Sequence, residues 1–342
     1  MDGEGICAGE YMVETKGITD DMSNNILILS CGTRDLLVRY FKRADYERVI
    51  GADCSELAPA LYEADKYYLI PRMKEEGYFD AILEICRKEG ITAILPLQED
   101  ELNLISENRE LFEQEGIRTI VSPVETLQIC RDKYCFFEHM TEHGIPVLNS
   151  YIDLTEFEKA YEAGKIGFPV FVKPVRGAGS VGVMKVSCME LLKALFAYSE
   201  EPLLIQEFCN GREFGIDVYV DLVSGEVVDI FAKEKLRMRA GETEKSVTSN
   251  DPALKEFVYR AASTLKLSGP VDMDVFEKDG IFYLSEINPR FGGGFPHAYA
   301  CGVDTPSYIL QNLQGIANES HLQEKREEIY VLKYSDILCI DR

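Results

Sequence analysis

Residues 169–183 read PVFVKPVRGAGSVGV, and residues 272–290 read DMDVFEKDGIFYLSEINPR. The first stretch is an apolar strand that delivers Lys173. Pro174 then ends strand pairing, because it has no N–H to donate. Gly177, Gly179 and Gly182 follow, spaced around Ser180. Glycines let backbone N–H groups converge on anionic oxygens, and Ser180 adds a hydroxyl. No G-K-[ST] closes the glycines and no helix opens directly after them, so this is not a P-loop. Alone, the segment reads either as an anion cradle or as a glycine-rich mobile hairpin.

In the second stretch the two-residue period of a strand puts Asp272 and Asp274 on one face. It puts Glu286 and Asn288 together on a face of the next strand. Asp279-Gly280, between two apolar runs, marks a hairpin turn that sets the two pairs opposite each other. Met273, Val275, Tyr283 and Ile287 are then the buried alternates. Hard oxygen ligands facing one site suit Mg²⁺, with Mn²⁺ as the alternative ion. The other reading is a solvated polar face. Arg290 is either a structural ion pair with these acids or a clamp on an anion beside the metal.

Upstream, short apolar runs alternate with helical periodicity. Ile26–Ser30, Val49–Asp53, Ala93–Leu97 and Arg118–Val121 read as strands, with helices at Leu36–Phe41, Tyr78–Lys88 and Glu101–Glu115. That alternation predicts a parallel sheet covered on both faces. An acid, Asp53, follows the first turn at about the dinucleotide-fold spacing. However, Cys31-Gly-Thr-Arg lacks the glycines that bring a backbone close to a pyrophosphate. Glu125–His143 reads as one long helix stopped by Gly144 and Pro146. A second α/β segment follows: helix Thr155–Ala163, strand Phe168–Lys173, helix Met189–Ala197 and strand Leu203–Phe208. Then come longer strands at Glu213–Asp221 and Val227–Lys233, and a helix at Leu254–Leu267.

Lys233, Lys235, Arg237, Arg239 and Lys245 outnumber the acids around them, which suggests either an anion pocket or a solvated loop of mixed charge. His297 is either a substrate contact or a structural polar residue opening a helix that runs to Gln314. The tail after Ser320 begins charged and ends in an apolar strand-like run, Ile329–Leu332.

The 342 residues carry a formal net charge of -23. Such a surface repels nucleic acid and anionic membranes, though local cations still admit small anions. No apolar run is long enough for a membrane span. Residues 1–21 read as a disordered extension, and folding is expected to begin near Met22. The ten cysteines form no CxxC pair, so they read as buried free thiols of a cytoplasmic protein rather than a disulfide or zinc framework.

In this order and spacing, the segments resemble the ATP-grasp superfamily. They look closest to its branches like the carbamoyl phosphate synthase large subunit and the carboxylate–amine ligases. The likeness runs from Ile26 to Gly315, and Glu286-x-Asn288-Pro-Arg290 preceded by Asp274 is its most specific part. The resemblance implies an α/β and α+β fold. Residues 22–122 would form a parallel-sheet pre-ATP-grasp domain. Residues 123–320 would form a two-subdomain grasp with a mobile lid at 146–205, followed by a tail at 321–342.

It also implies roles. Lys133, Lys173 and the loop holding Gly177, Gly179, Ser180 and Gly182 would contact the ATP phosphates. Glu207, Phe208 and Cys209 would meet the adenine edge, and Glu213 the ribose. Asp274, Glu286 and Asn288 would hold magnesium. Arg290, and more remotely Arg239, would act on the transferring phosphoryl group. The implied reaction activates a small carboxylate as an acyl phosphate and joins it to an amine, and a homodimer is compatible with it. A nucleotide-binding regulator without turnover and an ATP-dependent carboxylase or kinase are the alternatives. One grasp unit is present, with no glutaminase triad.

Overall fold

In the computed structural model, residues 24–177, 182–239, 241–323, 325–326 and 328–340 are described. The expected extension at 1–21, Gly179 and Ser180 lie outside them. Three sheets organise the described residues, and the strands expected from the apolar runs lie in them beside others that the sequence did not signal.

The first sheet starts with β1 (Asn25–Leu29), buried at every position. It continues through α1 (Asp35–Arg43), β2 (Arg48–Asp53), β3 (Lys66–Leu69), α2 (Tyr78–Glu89), β4 (Ala93–Pro96), α3 (Glu99–Glu107), α4 (Arg109–Gln114) and β5 (Arg118–Thr119). The parallel order is β3-β2-β1-β4-β5. Alternate residues of β1 serve opposite cores: Ile26 and Ile28 on one side, Leu27 and Leu29 on the other. The helix expected over Glu101–Glu115 is two helices. The Asn108 side chain donates to the Leu104 carbonyl at 2.8 Å and closes the first.

The long helix expected over Glu125–His143 is likewise α5 (Val124–Arg131) and α6 (Lys133–Glu142). Asp132 breaks it. Its backbone is extended, and its carboxylate accepts the N–H groups of Tyr134 and Cys135 at 3.2 and 3.1 Å. An N-cap aspartate satisfies donors that a continuous helix would have bonded internally. Lys133 therefore opens a helix rather than sitting mid-helix.

A small antiparallel sheet, order β6-β9-β7-β8, follows. It comprises β6 (Ser150–Tyr151), α7 (Leu154–Glu162), β7 (Val170–Pro174), β8 (Met184–Val186), α8 (Met189–Tyr198) and β9 (Leu203–Glu207). Its own core forms around Phe157, Val172 and Leu192.

The third sheet has six strands in the order β14-β13-β10-β11-β12-β15. Its elements are β10 (Arg212–Val220), β11 (Val227–Arg239), β12 (Glu242–Ser249), α9 (Pro252–Ala262), β13 (Gly269–Lys278), β14 (Ile281–Asn288), α10 (Phe295–Ala300), α11 (Thr305–Leu313) and β15 (Tyr330–Leu332). The charged stretch 233–245 is thus most of the β11–β12 hairpin rather than a loop, and its Lys233 and Lys235 line the cavity described below. Helix α9 stops earlier than expected, where Ser263 and Thr264 turn their hydroxyls back to the Tyr259 and Ala261 carbonyls. The helix expected to run to Gln314 breaks at Gly302, at φ +96, and Asp304 caps α11. The tail strand pairs antiparallel with β12.

The β13–β14 hairpin turns at Asp279 and Gly280, both with positive φ, as that dipeptide predicts. Its register then shifts: Val275 pairs with Leu284, but Asp274 pairs with Glu286, leaving Ser285 as a bulge. A bulge reverses the alternation of its strand. Leu284 and Ile287 are therefore both buried, while Tyr283, expected in the core, is half-exposed. The same bulge seats Glu286 opposite Asp274 and Asn288 opposite Asp272.

Candidate active site

The small sheet and the six-stranded sheet face each other across a cavity of about 640 Å³. From the small sheet come Phe171, Lys173, Gln206 and Glu207. From the large sheet come Glu213, Lys233, Lys235, Asp274, Glu286 and Asn288. Lys133 and Arg176 close one side; Arg34, Arg290 and the backbone of Gly293 and Gly294 close another.

Lys173 leaves β7 and donates to Gln206 Oε1 at 2.9 Å. Burial pushes its ammonium down to about 8, helped by the charge of Lys133 and opposed by Glu286 and Asp274. Lys133 donates to the Gly177 carbonyl at 2.6 Å, and burial lowers its pKa as well. Two lysines held with weakened protonation, both within electrostatic reach of Glu286, form a site that gains from an incoming anion. Gly182, at φ +73, packs against the Pro174 ring.

On the large sheet, register sets charge against charge. Gly215 stands between Lys233 on β11 and Asp274 on β13, and having no side chain it leaves room for Lys235 to cross. Lys235 bonds Glu213 at 2.8 Å and Asp274 at 2.5 Å. Burial pushes the Asp274 carboxyl up, against the pull of Lys235, and the like charges of Glu286, Asp272 and Glu213 add to the rise. Deeper in the sheet Lys233 is 1% exposed and pairs with Asp217. Arg290 meets Asp272 at 3.3 Å.

The residues expected to hold magnesium can be tested by their donor chemistry. Among the described residues, no three His, Cys, Asp or Glu side chains form a ready-made cage. The donor set is instead mixed: the Glu286 carboxylate, the Asn288 carboxamide and one oxygen of Asp274, the other being held by Lys235. Asn288 Nδ2 donates to Glu286 Oε1 at 3.1 Å, which leaves the carboxamide oxygen to accept a cation. Hard oxygens raised in energy by mutual repulsion fit Mg²⁺ when phosphate oxygens and water complete its shell.

The expected adenine-edge residues Glu207, Phe208 and Cys209 line the cavity, and so does Glu213. Both oxygens of Glu207 are already engaged, by Asn149 at 2.8 Å and Lys278 at 3.3 Å. Lys185 stacks over the Phe208 ring, 3.8 Å from its centroid. Arg239 is placed elsewhere. It lies at the exposed end of β11, 3.4 Å from Glu244, and Met238 and Gly241 line the cavity in its stead. The reason is a break in the β11–β12 register between Lys235 and Met238, which reverses the alternation, so that Met238 rather than Arg239 follows Lys233 and Lys235 onto the cavity face. His297 is buried, bonds Ser246 Oγ at 2.8 Å and lies edge-on to Phe231, a structural role. Asp53 is spent locally, accepting the N–H groups of Gly32 and Ser55.

Sequence reasoning missed Arg34 and Gln206. Arg34 ends the short loop from β1 into α1, where the carboxyl ends of parallel strands gather ligand contacts. That position was the available signal.

The family model described as "PylC-like, N-terminal domain" matches residues 26–120, and "ATP-grasp in the biosynthetic pathway with Ter operon" matches residues 199–337. The carbamoyl phosphate synthase arginine-specific large chain of Bacillus subtilis is 27% identical over 53% of this chain and 18% of its own. The D-alanine–D-alanine ligase of Geobacillus thermodenitrificans is 29% identical over 54% of this chain and 58% of its own. The chain therefore spans less than two thirds of the length of these curated relatives. Among solved structures, the biotin carboxylase domain of Hydrogenobacter thermophilus 2-oxoglutarate carboxylase, in complex with MgADP, ADP and bicarbonate, shares the fold. It has a TM-score of 0.72 and 20% identity, covering 90% of this chain and 73% of that one. No helix among the described residues is long and apolar enough to cross a membrane. With two facing sheets around a lysine- and carboxylate-lined cavity, and these matches, the chain is similar in sequence and fold to ATP-grasp proteins.

Proposed function

We propose that the protein is an ATP-dependent ligase that phosphorylates a small carboxylate and joins the acyl phosphate to an amine or related nucleophile. The observation that carries the reading is the opposition of Lys133 and Lys173 to Asp274, Glu286, Asn288 and Arg290 across one cavity. Phosphoryl transfer demands positioning and charge neutralisation more than covalent help. Lys133 and Lys173 hold the nucleotide phosphates. The Phe208–Cys209 backbone and the Phe171 ring line the purine, while Glu213 meets the ribose. Bound Mg²⁺, held by Glu286, Asn288 and Asp274, would neutralise charge on the phosphate oxygens. Arg290 donates to the anionic oxygens of the transferring group, and the small sheet closes over the site to exclude water from the acyl phosphate.

A screen of amino acids and small carboxylates for ADP release tests this reading. The expected result is ADP and phosphate in equal amounts, with a new amide in the product mixture. Saturable nucleotide binding without turnover for any acid would replace the ligase with a nucleotide-binding regulator.

A further inference from the structure

Four cations gather where the parallel sheet meets the glycine loop at 292–294. Three are matched: Lys233 by Asp217, Arg290 by Asp272 at 3.3 Å, and Lys333 by Glu242 at 3.0 Å. The fourth is Arg34, at the carboxyl end of β1, and no carboxylate pairs with it among the described residues. Among the described residues its Nη1 reaches the Phe291 carbonyl, at 3.4 Å, and Arg290 Nη1 donates to the same oxygen at 2.9 Å. Two guanidiniums sharing one acceptor lie side by side.

The environment does not relieve them. Burial lowers the Arg34 pKa, and the neighbouring Arg290 lowers it further, with the smaller influences of Glu242 and Asp272 opposing. The site also cannot fill itself. A Cβ at Gly292 would come within 2.3 Å of Asp272 Oδ1, and one at Gly294 within 2.5 Å of Lys233 Cε, so the loop lies flat against the charged floor. Both arginines line the same cavity as Lys173 and Glu286. A half-buried guanidinium with no anion of its own, open to a cavity and repelled by its neighbour, is stabilised by an incoming carboxylate, which it can bind bidentately.

We infer that Arg34 is a specificity-determining residue that binds a carboxylate which the reaction does not consume. The substrates would therefore bring at least one anionic group besides the acid that is phosphorylated. The inference rests on the ligase reading for the identity of the reacting acid. The spare carboxylate has two sources: a second carboxylate on the activated acid, or the carboxylate of an amino-acid nucleophile.

The test titrates two matched pairs into the protein by calorimetry, with and without Mg²⁺ and the non-hydrolysable ATP analogue AMPPNP. Succinate against butyrate reads the first source, and L-alanine against L-alaninamide the second. Preference for the carboxylate-bearing member of at least one pair is expected, by about tenfold or more. Arg34→Gln is expected to abolish that preference with Mg-AMPPNP affinity within about twofold of wild type, and Arg34→Lys to retain part of it. A role limited to holding the Phe291 carbonyl would not give charge-selective binding. Absence of preference in both pairs overturns the inference, as does a preference that survives Arg34→Gln. Failure of Mg-AMPPNP to bind, with the anion preference intact, would instead remove the ATP reading and leave the role of Arg34 standing.

Discussion

Lys235 Nζ lies 2.5 Å from Asp274 Oδ1 and 2.8 Å from Glu213 Oε1, so one buried ammonium joins an expected metal ligand to an expected ribose ligand. The arrangement places Lys235 as the internal counter-ion of an acidic cluster that would otherwise repel itself. Lys235→Gln leaves Asp274, Glu213 and Glu286 crowded without that charge. Breaking a buried pair from one side costs about 3–5 kcal/mol. The melting temperature of the metal-free variant should therefore fall by several degrees, and Mg²⁺ should restore part of the loss while barely moving the wild type. An unchanged melting temperature without metal would show that Lys235 does not balance the cluster.

Lys173 has its charge weakened by burial, to a pKa of about 8. Its folded value lies below the usual lysine value near 10.4. Between these two values the unfolded chain binds the extra proton, so this group's contribution to stability rises with pH across that window. Nucleotide binding has the opposite sign, because a phosphate needs the ammonium. Mg-AMPPNP affinity should fall as pH rises from 7 to 9, and Lys173→Met should flatten that fall. Lys173→Ala should weaken binding at pH 7 by about 2–4 kcal/mol with unchanged circular dichroism. A pH profile of the same slope in wild type and Lys173→Met would take Lys173 out of phosphate binding.

Asp132 caps α6 and thereby fixes Lys133 at its first turn. The backbone N–H of Lys133 also bonds the Val175 carbonyl at 3.1 Å, so the cap ties the helix to the glycine segment. Asp132→Ala should destabilise the protein by about 1 kcal/mol. It should also weaken Mg-AMPPNP binding, since Lys133 loses its anchor, and Asp132→Asn should recover most of both. Lost stability with unaltered nucleotide affinity would confine Asp132 to the fold.

These residues also mark where the sequence was readable. The Asp279-Gly280 turn and the spacing of Asp272, Asp274, Glu286 and Asn288 identified the carboxylate hairpin, because turn chemistry and strand period are local properties. The bulge at Ser285 was not readable, since Ser, Leu and Glu carry no bulge signal and register is decided by packing across the sheet. Tyr283 was misplaced for that reason. Asp132 was hidden inside an uninterrupted apolar period, where a capping residue looks like any polar position on a helix. Arg34 was invisible as a site residue because its neighbours Arg290 and Phe291 lie more than 250 residues away in the chain and meet it only in the folded protein.

Glu286 stands opposite Asp274 and carries Asn288 beside it on β14. Glu286→Gln keeps the volume and removes the charge that would hold the metal against the phosphate oxygens. Turnover should drop by about 10²-fold or more, with a much smaller effect on nucleotide affinity and an intact thermal transition. Wild-type turnover in the folded variant would exclude Glu286 from the metal site.

The central claim is that a carboxylate becomes an acyl phosphate in this cavity. The most direct measurement is hydroxylamine trapping, in which purified protein, Mg-ATP and a panel of carboxylates are incubated with hydroxylamine and assayed for hydroxamate and ADP. Hydroxylamine captures an acyl phosphate whatever the natural nucleophile is. The account predicts hydroxamate in step with ADP, dependent on Mg²⁺ and abolished in Glu286→Gln. ADP formed from an acid without any hydroxamate would contradict it.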